Sequence, residues 1–536
     1  MTLRLWAVVI TVSLGAMLEV IDVSICNVAL PHIQANLGAT LAEVGWVVTG
    51  YAMASVVVIP LSPWLSERFG QRSYFVFCLA GFTAASVLCG LAPNLPVLVL
   101  ARIAQGVLGG GLLPKAQAML FQVVPSAMQA MAQGLFGVVV LAGPALGPTL
   151  GGFLTDGPGW RWIFFINVPF GILTVLMALA FLPPDAPRLA GSAPAPAPAS
   201  ASASASASAS SAPSPPRRRA DWTGIFLLAA GLGSLQVVLE QGHQFDWFSN
   251  GGIRQLSLLA AVALPLFIWW ELRCRQPAVD LRVLRHRSLA AGSVFSLVLG
   301  MGLYGTVFVV PIFAQTVLQF TATQTGLLML PGALASAVTM AVLGRNANRF
   351  DPRLLIVIGA AAMVITMLSL AAIGPDTGDH SLFWPLIFRG VTTVTMFLPL
   401  SLAALGPLPK ADVGAGSGFF NLTRQLGGTF GIAVLTVVLD HQRAVHRSQL
   451  VQHMATTNPL VQERVAQLQQ WLSQSGDSGR SADQALQVLS LQVDRQAALL
   501  AYGDVFRLVA LVFLLAIPLV LLLGRPAAPL KDTETA

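Results

Sequence analysis

Fourteen apolar runs, each long enough to cross a lipid bilayer as a helix, recur along this 536-residue chain, the first at 6–30 and the last at 503–524. A spanning helix needs about 20 apolar residues, and in lipid its backbone donors and acceptors are satisfied only within helices or closed barrels. The runs therefore predict an all-α polytopic membrane protein. Only 10% of the residues are charged, against about 25% in soluble domains, which excludes a water-soluble globular fold. The net charge of +7 is spread over separate short loops, as membrane topology requires, and so implies no nucleic-acid partner. One set of loops carries Arg68, Arg72, Arg273, Arg285, Arg345 and Lys410, whereas the short loops on the other side carry Arg161 and Arg254. That asymmetry places both termini in the cytoplasm. The leader Met1–Leu5 has no signal-peptide cleavage pattern, so the first run is expected to stay as a helix. Cys26, Cys78, Cys89 and Cys274 show no zinc-ligand spacing, and no structural disulfide is expected.

After the sixth run comes a low-complexity stretch, GSAPAPAPASASASASASASSAPSPPRRR, from Gly191 to Arg219. Alternating Ala, Ser and Pro cannot build a core, so 183–222 reads as a flexible cytoplasmic linker. Its triple arginine is either a topology anchor or a contact for anionic lipid. Arg102-x-x-Gln-Gly106 lies six residues into the fourth run and Arg389-Gly390 six residues into the twelfth, followed by Pro114 and Pro399 respectively. This weak repeat pairs an N-terminal six-helix lobe, 1–182, with a C-terminal one, 289–536, and leaves 223–288 as an inserted helix pair. The extracytoplasmic loop 440–502 contains NPLVQERVAQLQQWL, with apolar residues at helical spacing, and a capping box at Ser481-x-x-Gln484. It is either a cap on the protein's own outer mouth or a docking surface for a partner outside the membrane.

Two carboxylates fall inside the runs, Glu19 and Asp22, whereas Glu240, Glu271 and Asp504 fall at run ends, where water is expected to reach. A charge in mid-membrane costs several kcal/mol, so intramembrane acids are functional by default. The i, i+3 spacing puts Glu19 and Asp22 on one helix face. Carboxylates held close cannot both ionise easily, and burial favours the neutral form of either. The pair is suited to exchanging a proton; the alternative is an ion pair that only orders the bundle. Arg102 lies at a similar depth and is the natural partner. Arg389 and Arg424 are further buried cations, with Lys115 nearer the inner end; Arg424 either faces an anionic group or bonds to helix carbonyls. No H-E-x-x-H, P-loop or G-x-S-x-G is present, so neither an enzyme nor an ATP-driven pump is indicated.

The densest pattern is GLFGVVVLAGPALGPTLGG, Gly134 to Gly152. Gly143, Gly147 and Gly151 recur every fourth residue and form a smooth face for close helix approach, with Gly152 beside it. Pro144 and Pro148 each remove a backbone donor and bend the helix, which persists in lipid only inside a bundle or along a cavity. The turn Pro63-Trp-Leu-Ser-Glu67-Arg68-Phe-Gly70-Gln71-Arg72 sets an acid beside basic residues, which can bridge helix ends in one conformation and release them in another.

These stretches resemble a known family. The fifth-helix pattern resembles the antiporter signature of proton-coupled drug exporters of the major facilitator superfamily. The turn resembles the superfamily motif G-x-L-a-D-R-x-G-R-R, from which it departs at Pro63, Glu67 and Gln71. Ile21-Asp22-Val-Ser24-Ile-Cys-Asn27-Val-Ala-Leu-Pro31 looks like the helix 1 signature of fourteen-helix drug:proton antiporters, and Arg102-Ile-Ala-Gln105-Gly106 is similar to their helix 4 motif. Trp160-Arg-Trp-Ile-Phe-Phe-Ile-Asn167-Val-Pro169, Asp246-Trp-Phe-Ser249 and Asn421-Leu-Thr-Arg424 are similar to EmrB-like pumps. The resemblance covers nearly the whole chain except the linker. It implies the major facilitator fold, two six-helix lobes plus two inserted helices, and export of hydrophobic or amphipathic small molecules across a bacterial inner membrane. Antiport with protons would drive it, with no cofactor, and a periplasmic membrane-fusion adaptor and an outer-membrane channel are the implied partners. Asp22 would carry the proton, Glu19 would be an additional acid, and Arg102 would stabilise the deprotonated state; Asn27, Gln105, Arg389 and Arg424 are candidate cavity residues. An importer, an exporter of one metabolite and a non-transporting receptor remain the alternatives.

Overall fold

The computed structural model describes residues 3–185, 221–346, 349–374, 379–454, 459–475 and 481–523; all but the ends of the expected linker lie outside them. The described residues form helices joined by short turns, with no strand among them. The first three runs are α1 (Leu3–Leu37), α2 (Leu41–Phe69) and α3 (Gln71–Leu91). The fourth is divided into α4 (Leu95–Gly109) and α5 (Leu112–Val123), the fifth is α6 (Ser126–Asp156), and the sixth is α7 (Trp162–Phe165) with α8 (Asn167–Phe181). The inserted pair is α9 (Trp222–Gln241) and α10 (Gly251–Arg273). Then follow α11 (Arg287–Thr316), α12 (Ala322–Asn346), α13 (Pro352–Ala371), α14 (Asp379–Leu405), α15 (Val413–Gln452), α16 (Pro459–Ser475) and α17 (Ser481–Ala516). Among the described residues thirteen helical spans are long and apolar enough to cross a membrane, and α6 contains the shorter apolar stretch Met128–Leu141. All fourteen expected runs are thus helical.

Local sequence sets the ends. Thr40 and Glu43 form a reciprocal capping box at the start of α2. Asn94 caps α4, where Pro96 occupies the first turn. Asp221 accepts from the Gly224 N–H at the start of α9 and from the Trp270 indole at 3.0 Å, tying α9 to α10. The expected loop at 440–502 is largely helical. Asp440–Gln452 contains no Gly or Pro, so nothing stops α15. At about 1.5 Å per residue α15 is about 60 Å long, twice a hydrocarbon core. α17 starts at Ser481 and runs on into the last span, with α16 packed on it.

In the first half α1 packs on α6, α8 and α5, and α2 and α3 on α4. In the second, α11 packs on α15, α12 and α13 on α14, and α13 and α15 on α17. The halves meet along α6–α12 and α2–α15, and α9 contacts both α2 and α15. The glycine face of α6 lies against α1: a Cβ on Gly143 would stand 2.6 Å from Val20, one on Gly151 3.1 Å from Ile25, and one on Gly147 would collide with Ser24. Lower on the same helix Gly134 meets Gly344 of α12, 3.2 Å from a Cβ to that Cα. Gly152 faces open space. The helix runs unbroken through positions 144 and 148, and the side chains of Pro144 and Pro148 lie outside the described residues.

The turn between α2 and α3 is fastened to the end of α8. Asp185 accepts from the N–H groups of Arg72 and Ser73, each at 2.9 Å, and from the Ser73 hydroxyl at 2.7 Å. Burial opposes the Asp185 charge, but these bonds, with that from the Gln71 N–H, outweigh it and hold the carboxyl below its ordinary range. Gly70 has φ +96°, and any Cβ there would strike the Asp185 carboxylate. Arg72 also donates to the Leu179 carbonyl, and Arg68 lies over the Trp64 ring at 5.8 Å.

Two outcomes are expected. Gly147→Val lowers the thermal midpoint of the purified protein, whereas Gly152→Ala leaves it unchanged, as read by differential scanning fluorimetry. Asp185→Ala removes about 1 kcal/mol of capping stability. Because the native carboxyl is held low, that contribution is present at neutral pH and disappears as pH falls through the carboxylate range, so wild type and variant melt alike in acid.

Candidate functional site

Five helices of the first half converge on Asp22. Its Oδ2 accepts from Arg102 Nη1 at 2.6 Å, and its Oδ1 accepts from Gln105 Nε2 at 3.0 Å and Asn167 Nδ2 at 2.7 Å. Arg102 also donates to the Val47 carbonyl (3.1 Å) and Gln105 Oε1 (2.7 Å), with its guanidinium 4.4 Å from the Tyr51 ring centroid. Gln105 also donates to the Ser86 hydroxyl at 2.7 Å. Asp22, Arg102 and Gln105 are each 0% exposed. A buried ion pair is tolerable only when its lone pairs and protons are bonded in this way.

Glu19, on the same face of α1, is engaged elsewhere. Gly109, Gly110 and Gly111 interrupt the fourth span, and the break leaves backbone donors at the start of α5. Glu19 Oε2 accepts one of them, the Leu113 N–H, at 2.9 Å. Each of the two acids thus has its own donors.

Arg424, 2% exposed, donates to Asn421 Oδ1 at 2.9 Å and the Tyr304 hydroxyl at 3.2 Å, and its Nε has no partner. Asn421 in turn donates to Gln117 Oε1 at 2.6 Å, and Ser417 to the Pro114 carbonyl at 2.8 Å, so α15 is stitched to α5 across the two halves. Arg389 is buried with a 3.5 Å contact to the Thr306 hydroxyl and does not join the Asp22 cluster. Asn27 is exposed and also stays apart from it. Lys115 donates to Ser66 at 2.9 Å. It lines a cavity of about 150 Å³ with Glu67, Gln71 and Lys410, between α2, α5 and the turn before α15.

Sequence reasoning passed over Asn167 and Ser86, although a lone amide in the apolar sixth run was a usable signal. It also placed Glu240 and Glu271 within reach of water; the structure corrects this for Glu271, whereas Glu240 is half-buried. Glu271 is 1% exposed and accepts from the Val279 N–H at 3.3 Å. Glu240, at the end of α9 where that helix packs on α2 and α15, accepts from Gln236 Nε2 at 2.8 Å, and of its two oxygens Oε2 is enclosed. Asp504 is partly exposed and pairs with His446 and Arg507, each at 2.7 Å.

Comparison with known proteins fits this architecture. The chain is 31% identical to the fatty acid resistance protein FarB of Neisseria gonorrhoeae, over 96% of both chains. It is also 31% identical to the multidrug export protein EmrB of Escherichia coli K12, over 95% of this chain and 94% of that one. The colistin resistance protein EmrB of Acinetobacter baumannii is 29% identical, over 97% and 96%. Among solved structures, the human organic anion transporter MFSD10 (TETRAN) and the proton:xylose symporter XylE each give a TM-score of 0.55 at 14% identity. They cover 95% of this chain and 99% and 94% of their own, and share the fold. Residues 12–432 match the Major Facilitator Superfamily itself. The chain is an integral membrane transporter rather than an enzyme, and it belongs to the Major Facilitator Superfamily.

Proposed function

We propose that this transporter exports hydrophobic or amphipathic small molecules from a bacterial cell across the inner membrane, by antiport with protons and alternating access of its two halves. The observation that carries the reading is the fully buried Asp22–Arg102 pair. Ionised, Asp22 satisfies Arg102 and accepts from Gln105 and Asn167. A proton on Asp22 removes the countercharge and leaves the guanidinium uncompensated in a low-dielectric site, so one conformation becomes costly relative to another. In the cycle, Asp22 takes a proton when the cavity opens outward, and substrate leaves; it loses the proton when the cavity opens inward, and substrate binds. Glu19, held to α5 at the broken fourth span, is the second acid in contact with that movement. No cofactor enters; the proton gradient is the energy source.

The relatives support the substrate class, since their names speak of multidrug export, fatty acid resistance and colistin resistance. The loop charges support cytoplasmic termini. On that orientation the helical extension formed by α15, α16 and α17 projects from the outer face, where it offers a surface for a periplasmic membrane-fusion adaptor leading to an outer-membrane channel.

The test is export from proteoliposomes under an imposed pH gradient, with ethidium and decanoate as probes. Asp22→Asn is expected to lose at least tenfold in gradient-driven export at unchanged protein yield, and wild-type export by that variant overturns the assignment. Arg102→Lys is expected to lose at least tenfold as well, because an ammonium cannot reproduce the planar set of bonds to Asp22, Val47 and Gln105.

A further inference from the structure

At the far end of the bundle from the termini, α9 bonds to both halves at once. Gln241 Nε2 donates to Thr49 of α2 at 2.9 Å, and Gln236 Nε2 donates to Thr429 of α15 at 3.1 Å. The same Gln236 nitrogen donates to Glu240, one helical turn on. Among the described residues Gln236 Oε1 and Gln241 Oε1 are enclosed without a donor, and the enclosed Glu240 Oε2 has no cation beside it, only the neutral Thr49 hydroxyl and Gln236 amide near its carboxylate. Such orphaned acceptors are rare in native interiors. Among the described residues no cation pairs with Glu240. Of the charged groups on the elements packed around α9, Glu43 is bonded to Thr40, Asp440 pairs with His243 at 2.7 Å, His446 pairs with Asp504 and Arg447 with Asp494, and His441 and Arg443 lie on the same outer stretch of α15. Arg254 sits on the first turn of α10. Glu67, Arg68, Glu271, Arg273 and Arg424 lie toward the other end of their helices or at mid-depth.

The cluster has a surplus of acceptors that a single proton relieves. We propose that Glu240 is a second proton-binding site, separate from Asp22, and that its protonated form fastens α9 across the α2–α15 seam. The protonated carboxyl becomes a donor to a neighbouring amide oxygen while still accepting from Gln236, so Gln236 stays in place to hold Thr429. The ionised carboxylate has neutral donors only; it draws water into the seam and loosens the grip. The inference rests on the alternating-access reading for the movement of the halves, and not on Asp22 or on any substrate.

The experiment measures distances between spin labels at Ala35 of α1 and Ala444 of α15, both exposed at the far end. The full chain is reconstituted in nanodiscs without substrate, with Cys274 replaced by Ser so that the remaining cysteines are the buried Cys26, Cys78 and Cys89. In the wild type the short-distance population is expected to grow as pH falls from 8 to 5. Glu240→Gln is expected to lose this response and stay short at every pH, while Asp22→Asn keeps it. Thr429→Val leaves the acid intact but removes its reach to α15, and is expected to stay broad even at pH 5; it also serves if Glu240→Gln does not fold. A wild-type pH response in Glu240→Gln or Thr429→Val overturns the proposal. So does a response that follows sodium concentration at constant pH, which assigns the surplus oxygens to a metal cation instead. Loss of export in Asp22→Asn with the label response intact tells the two sites apart.

Discussion

A salt bridge removed from water governs this molecule. Asp22 and Arg102 have no solvent to fall back on, so the surrounding helices must supply every bond that either group needs. That requirement fixes several relationships at once: α4 has to present Arg102 and Gln105 on one face, α8 has to bring Asn167 to the same oxygen as Gln105, and α2 has to leave the Val47 carbonyl available. The packing of the first half is the set of positions in which those demands are met together. A change in the charge of one atom of this network is therefore felt by five helices.

Among the described residues the second half contains no equivalent pair. Its buried arginines, Arg389 and Arg424, are held by hydroxyls, an amide and aromatic rings instead of carboxylates. The two halves thus share an architecture while differing in electrostatics: the first is internally neutralised, and the second carries cationic groups whose compensation comes from elsewhere. α15, which carries Arg424, is bonded across that boundary to α5, whose Leu113 N–H holds Glu19. The positions of the acids on α1 matter for this reason. One faces inward to its own half, the other toward the junction.

Much of this was legible in the chain. Length and hydropathy located every span, and the four-residue glycine period located a close helix contact before its partner, α1, was known. Depth arithmetic allowed the pairing of Asp22 with Arg102, because two residues on helices of known direction can be compared by rise alone. Other features were not legible for physical reasons. Glu271 sits at the end of an apolar run, and whether such an end meets water depends on neighbours outside the run, here the segment whose Val279 N–H it accepts from. Asn167 reads as a lone polar residue until α3 and α4 are placed beside it. The continuation of α15 past the bilayer was hidden because no helix stop marks the point where lipid gives way to water. Arg389 and Asn27 were named as cavity candidates, and that neither joins the Asp22 cluster was not legible, because side-chain direction on a helix is decided by its packing partners.

The uninterrupted course of α15 has a mechanical consequence. One rod joins the seam, where Ser417 and Asn421 grip α5, to a tip well beyond the bilayer. A stiff helix about 60 Å long that tilts by about 10° sweeps its end through roughly 10 Å. Small rearrangements around the buried charges therefore leave the membrane as a large displacement. Under the proposed alternating access α15 would act as a lever arm, moving α17 and, through it, α16.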